Sequence, residues 1–112
     1  MAEPPNAGLD AAIAALWHDA QPRALGRVEV LEAAVAALAS GALDPDAAAE
    51  ATHEAHKLAG ALGTFGMPAG SERARAIEQR LAAGATTSDA PALAGDVAAL
   101  RAIVEAGPGG AG

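Results

Sequence analysis

The chain has 112 residues, a formal net charge of −7 and no cysteine or tyrosine, and only one Trp and one Phe stand among its 52% of hydrophobic residues. So alanine-dominated a composition predicts a single helical domain, because alanine is the best helix former and a poor strand former. The acidic balance excludes a basic nucleic-acid face, no apolar run reaches the roughly 20 residues of a membrane span, and disulfides and thiolate metal sites lack cysteine.

Helix punctuation predicts five segments after a flexible start at residues 1–8, which has neither the basic start nor the apolar run of a secretory signal. The first runs from about Leu9 to Asp19, with Leu9, Ile13 and Leu16 as an i, i+4, i+7 stripe and Trp17 beside it. Pro22 is read as the break that follows. The second runs from about Arg23 to Ser40, with Val28, Leu31, Val35 and Leu38 at a/d spacing and Gly41 as its C-cap. Asp44-Pro45 reads as N-cap and first residue of the third, whose seam to about Thr64 is Ala55, Leu58, Leu62 and Phe65. Gly66-Met67-Pro68 ends it. The fourth occupies about Pro68 to Ala83, with Ala74, Ile77 and Leu81 inward and Gly84 as its stop. Ser88 is expected to cap the fifth, Asp89 to about Glu105, whose seam is Leu93, Val97, Leu100 and Val104. A flexible Gly-rich tail is expected over 106–112.

Four helices of about four turns with short links predict an all-α, antiparallel up-down-up-down four-helix bundle over residues 9–105. The short first helix is then an addition, packed across one end or along one side.

The third helix breaks the rules of simple packing. It carries His53, His56 and the only lysine, Lys57, with glycines at 60 and 63 inside its pattern. Each interior glycine costs about 1 kcal/mol relative to alanine, so those positions need another reason. With Ala55 as origin and about 100° per residue, the seam centres near 320° and His56 points to about 100°, away from the core. Ala49, Thr52, Gly60 and Gly63 lie around the same direction, and only His53 is bulky nearby. The imidazole thus stands on a platform of small side chains, open to another protein's active site. A neutral ring nitrogen is a nucleophile near physiological pH, and its attack on a phosphoryl donor gives a labile phosphoramidate.

The run His56-Lys57-Leu58-Ala59-Gly60-Ala61-Leu62-Gly63-Thr64-Phe65-Gly66 resembles the signature of histidine phosphotransfer (HPt) domains. That signature is a histidine followed by glycines four, seven and often ten positions later, on the second helix of a four-helix bundle. Ala69-Gly70-Ser71-Glu72-Arg73-Ala74-Arg75 and Ile77-Glu78 look like the family's next helix, and the Leu25 to Leu38 helix is also similar. The resemblance implies a phosphocarrier rather than an enzyme, without an ATP site. It would accept a phosphoryl group on His56 from a receiver-domain aspartate or a kinase and pass it to another receiver. Implied partners are a response-regulator receiver domain and a hybrid histidine kinase, with no cofactor of its own and Mg2+ expected in the receiver. A cytoplasmic monomer follows as the expectation. Thr52, His53, Lys57, Ala59, Gly60, Gly63 and Thr64 form the expected docking and phosphoryl environment. The family's usual lysine three residues after the histidine is replaced by Ala59, and Lys57 lies about 100° round the helix from His56.

A helical adaptor could use the same face without phosphorylation, but it needs neither His56 nor its glycine clearance. His53 and His56 with Glu50 lack the i, i+4 spacing of a zinc helix, so no metal site is expected. Glu72, Arg73, Arg75, Glu78 and Arg80 read as a solvated mixed-charge face, with one arginine near the phosphoryl group as the minor reading. A helical dimer of the kinase type is disfavoured because one chain already supplies four helices.

Overall fold

The computed structural model describes residues 7–109; among them are four α-helices, one 3-10 turn and no strand. The helices are α1 (Ala7–Ala39), α2 (Pro45–Thr64), α3 (Pro68–Ala82) and α4 (Ala90–Ala106), with the 3-10 turn Thr87–Asp89 leading into α4. None is long and apolar enough to cross a membrane.

The separate short first helix is not found. Residues 9–40 are not two helices: α1 runs unbroken through Pro22. A proline inside a helix removes one backbone hydrogen bond and costs about 3 kcal/mol. Pro22 and His18, whose carbonyl loses that bond, are both exposed, so water can serve the carbonyl. Tertiary anchors hold the helix on both sides of the proline. Upstream, Trp17 stacks edge-on against Phe65 with ring centroids 5.1 Å apart, and Gln21 Nε2 donates to the Val104 carbonyl at 2.9 Å. Downstream, Ala24, Val28 and Leu31 are buried.

The Leu9, Ile13 and Leu16 stripe does not pack as an added helix would. Leu9 and Leu16 are each 61% exposed. Trp17 already meets Phe65, just past the end of α2, and Gly107, just past the end of α4. The first turns of α1 therefore overshoot the other helices. A 33-residue helix spans about 50 Å, which accounts for a molecule measuring 60 × 21 × 18 Å.

The four seams expected from spacing meet in one core. Val28, Leu31, Leu58, Leu62, Ile77, Leu93, Leu100 and Val104 are fully buried. Each helix packs on two others: α1 and α3 both touch α2 and α4. Contacts fix the direction of two pairs. On α2 and α3, residue numbers fall as their partners rise, from Leu62 beside Gly70 to Ala59 with Ser71 to His56 with Glu78. On α1 and α4, Arg101 bonds Glu32 while Val104 bonds Gln21.

The caps explain the remaining boundaries. Asp44 Oδ1 accepts from Ala47 N at 2.8 Å, the expected N-cap of α2. Gly41 adopts φ +74 just beyond α1, as its C-cap role requires. Ser88 is not the cap of the last helix, because it lies inside the 3-10 turn. Thr86 and Asp89 close a reciprocal capping box there, with Thr86 N donating to Asp89 Oδ2 at 2.7 Å. Gly107 does not begin a free tail: it is buried, and a Cβ placed on it would lie 2.7 Å from Trp17 Nε1. Ala7, Gly8 and Ala106 are already helical, and the rest of the two expected flexible ends, residues 1–6 and 110–112, lies outside the described residues.

Candidate functional site

His56 sits midway along α2 on its outward side, where the rotation of the seam puts it, and its side chain is 69% exposed. Its Nδ1 lies 2.9 Å from Oε2 of Glu78 on α3. A carboxylate accepts and does not donate, so in the neutral ring the proton belongs on Nδ1 and the lone pair on Nε2. The ring is thereby held in one tautomer, with its free nitrogen turned away from the pairing side.

Sequence reasoning placed Glu78 in a solvated charged face and missed this role. The three-residue link makes α2 and α3 antiparallel neighbours, but the register that brings Glu78 to His56 shows only in the contacts between the two helices.

The expected neighbours of His56 divide into three groups. Gly60 and Gly63 are exposed on α2. A Cβ at Gly60 would meet nothing within 4 Å, and one at Gly63 would meet only Ser71 Oγ, at 3.5 Å. Neither glycine is demanded by packing. His53 and Thr64 are exposed, and Thr52 is half-buried. Both threonine hydroxyls are spent on the helix, Thr52 Oγ1 donating to the Ala48 carbonyl and Thr64 Oγ1 to the Gly60 carbonyl.

Ala59 and Lys57 depart from the expected surface. Ala59 is 5% exposed and turned inward, its carbonyl accepting from the buried Ser71 hydroxyl at 2.7 Å. It is therefore part of the α2–α3 packing and presents no side chain to a partner. Lys57 Nζ reaches Glu54 Oε1 at 3.6 Å, one turn back along α2, and not His56. Glu54 also accepts from Arg27 of α1. Burial pushes the Glu54 carboxyl up, but Arg27 and Lys57 outweigh it and hold it below its ordinary value. That network consumes two cations on the α1 side.

With its side chain 69% exposed, the histidine stands open on the surface. Two surface grooves lie elsewhere, one of about 590 Å³ between α1 and α4 and one of about 300 Å³ beside Met67 and Ile103. Among the described residues there is also no cluster of three or more His, Asp or Glu able to hold a metal. An exposed, oriented imidazole on a small-residue helix suits contact with a macromolecule better than capture of a small one.

Comparison with known families agrees with this geometry. A family model for the Hpt domain matches residues 15–106. The chain belongs to the Hpt domain family. Hpt domains are phosphocarriers, not classical enzymes, and act in two-component phosphorelays with receiver domains and kinases. The match begins within α1, leaving the first turns of its overshoot outside the Hpt region. No curated protein and no solved structure matches the chain.

Proposed function

We propose that this Hpt domain accepts a phosphoryl group on Nε2 of His56 from a receiver-domain aspartate and hands it to a second receiver. The observation that carries the reading is the bond between Nδ1 and Glu78, which leaves Nε2 as the exposed nucleophile. In the forward step the Nε2 lone pair forms the P–N bond while the P–O bond to the aspartate breaks. The aspartate departs as a carboxylate. The ring gains positive character as the bond forms, and Glu78, already on the Nδ1 proton, stabilises it without any proton having to leave. Transfer onward is the same step reversed. Phosphoryl transfer depends chiefly on positioning and charge, so the carrier works without an ATP site, and Mg2+ belongs to the receiver.

The ring of helix contacts, α1 to α2 to α3 to α4 and back, fits an antiparallel up-down-up-down bundle. A rigid bundle of that kind holds His56 in one place for both partners. The working form in this reading is a cytoplasmic monomer.

Incubation with a phosphorylated receiver should give acid-labile phosphate on the wild-type chain and none on His56→Gln. Equal labelling of the two would assign the phosphoryl group elsewhere. A wild-type chain that binds the receiver but takes no label would be an adaptor.

A further inference from the structure

A phosphoryl group on His56 would bring a charge of about −1.5 to −2 to a surface where the histidine's one ionic partner is a carboxylate, Glu78. Charge of that size is held best by a guanidinium fork. Most cations of the described residues are committed elsewhere. Arg27 and Lys57 share Glu54, Arg73 holds Asp96 at 3.1 Å, and Arg101 grips Glu32. Arg23, Arg75 and Arg80 are exposed and make no ion pair among the described residues.

The α2–α3 register selects one of these three. Ser71 and Glu78 mark the line of α3 that faces α2, since Ser71 bonds the Ala59 carbonyl and Glu78 bonds His56. Arg75 stands between them at i+4 from Ser71 and i−3 from Glu78, the spacings that share one helix face. It is therefore one turn from the residue that holds the histidine, on the same face of α3. Arg80 lies two positions beyond Glu78 and so on another side of α3. Arg23 belongs to α1, whereas His56 is turned to α3.

We propose, on the reading of His56 as phosphoacceptor, that Arg75 is the charge-stabilising residue of this carrier, its guanidinium binding the phosphoryl oxygens on Nε2. No bond is made or broken by Arg75: it holds negative charge in the phosphorylated state and as the P–N bond forms. The open space over Gly60 gives the three-carbon stem a path to the ring.

The test labels wild type, Arg75→Gln, Arg75→Lys and Arg80→Gln with phosphoramidate, a small donor that needs no partner protein, and follows the phosphohistidine by 31P NMR against pH. A cation beside the group favours its dianion, so the phosphoryl pKa should be about 0.5 or more higher in Arg75→Gln than in wild type. Arg75→Lys should fall between them, and Arg80→Gln should match wild type. From a phosphorylated receiver at saturating concentration, transfer to Arg75→Gln should be about tenfold slower. Superimposed titrations of wild type and Arg75→Gln would overturn the role of Arg75 while leaving His56 as acceptor. Equal labelling of wild type and His56→Gln would overturn the acceptor itself, and the role of Arg75 with it.

Discussion

At the scale of single residues, the site reduces to a nucleophile and the group that orients it. His56 is reached by one bond, from Glu78, and that bond does two things at once. It fixes the tautomer and it meets the positive character that the ring acquires on phosphorylation. Removing the carboxylate should slow transfer without changing the fold, because Glu78 is near the surface and contributes nothing to the apolar core. Partners that orient metal-bound histidines matter 10- to 100-fold, and by the same orienting effect Glu78→Ala should lose about tenfold or more in transfer rate. Glu78→Gln keeps an accepting oxygen and the tautomer but not the charge, and should fall between. Rates of transfer from one phosphorylated receiver, with circular dichroism as the control for folding, decide this; an Ala variant as fast as wild type would remove Glu78 from the mechanism. The histidine and its glycines were legible in the sequence because spacing along one helix is a property of one segment. Glu78 lies 22 residues from His56 and needed the register between two helices.

Among the elements, α2 and α3 use glycine for opposite purposes. Gly60 faces open space, while a Cβ at Gly70 would lie 2.9 Å from both Leu62 Cδ1 and Ile103 Cγ2. Gly70 is what lets α3 approach α2 and α4 closely. Gly60→Ala should therefore raise stability by about 1 kcal/mol, the difference in helix propensity. Gly70→Ala should lower it by about 1–3 kcal/mol through overpacking, since the Ile103 methyl is branched close to its backbone and yields less than the tip of Leu62. Urea denaturation of the two variants separates these cases. A destabilised Gly60→Ala would mean that glycine serves packing and not access to His56. Boundaries of α2 and α3 were legible from Asp44-Pro45, Gly66 and Gly84, all local signals. The continuity of α1 was not. Pro22 is a true local breaker, overridden by Trp17 and Gln21 on one side and the buried Ala24–Leu31 stretch on the other. A single helix pattern carries no trace of what a distant partner will hold in place.

For the molecule as a whole, charge decides how stability follows pH. Among the described residues, arginine–carboxylate pairs clasp three of the four neighbouring helix pairs: Arg27 with Glu54 joins α1 to α2, Arg101 with Glu32 joins α1 to α4, and Arg73 with Asp96 joins α3 to α4. The hydrogen bond from Arg101 holds the Glu32 carboxyl below its ordinary 4.5, against some burial. Arg27 and Lys57 do the same for Glu54 against a larger burial effect. Asp89 is lowered by the Thr86 backbone N–H and then by the Thr86 hydroxyl, again against burial. A carboxyl whose folded pKa is depressed binds fewer protons folded than unfolded, so it stabilises above the unfolded value and loses that stabilisation as pH falls from there through the folded value. With 14 acidic residues against seven basic ones, acid also relieves repulsion, an effect of the opposite sign. At 0.15 M salt, repulsion beyond a Debye length of about 8 Å is screened, whereas the paired groups are in contact. The pairs should therefore win: stability should fall as pH drops below about 4.5. Glu54→Gln should be less stable by about 0.5–1 kcal/mol at pH 7, the usual size for a partly exposed pair, with a shallower loss in acid. Denaturant titrations at pH 7 and pH 3 test this, and the two proteins should converge at the lower pH. A gap that persists unchanged at pH 3 would show that Glu54 stabilises the bundle through shape, not charge.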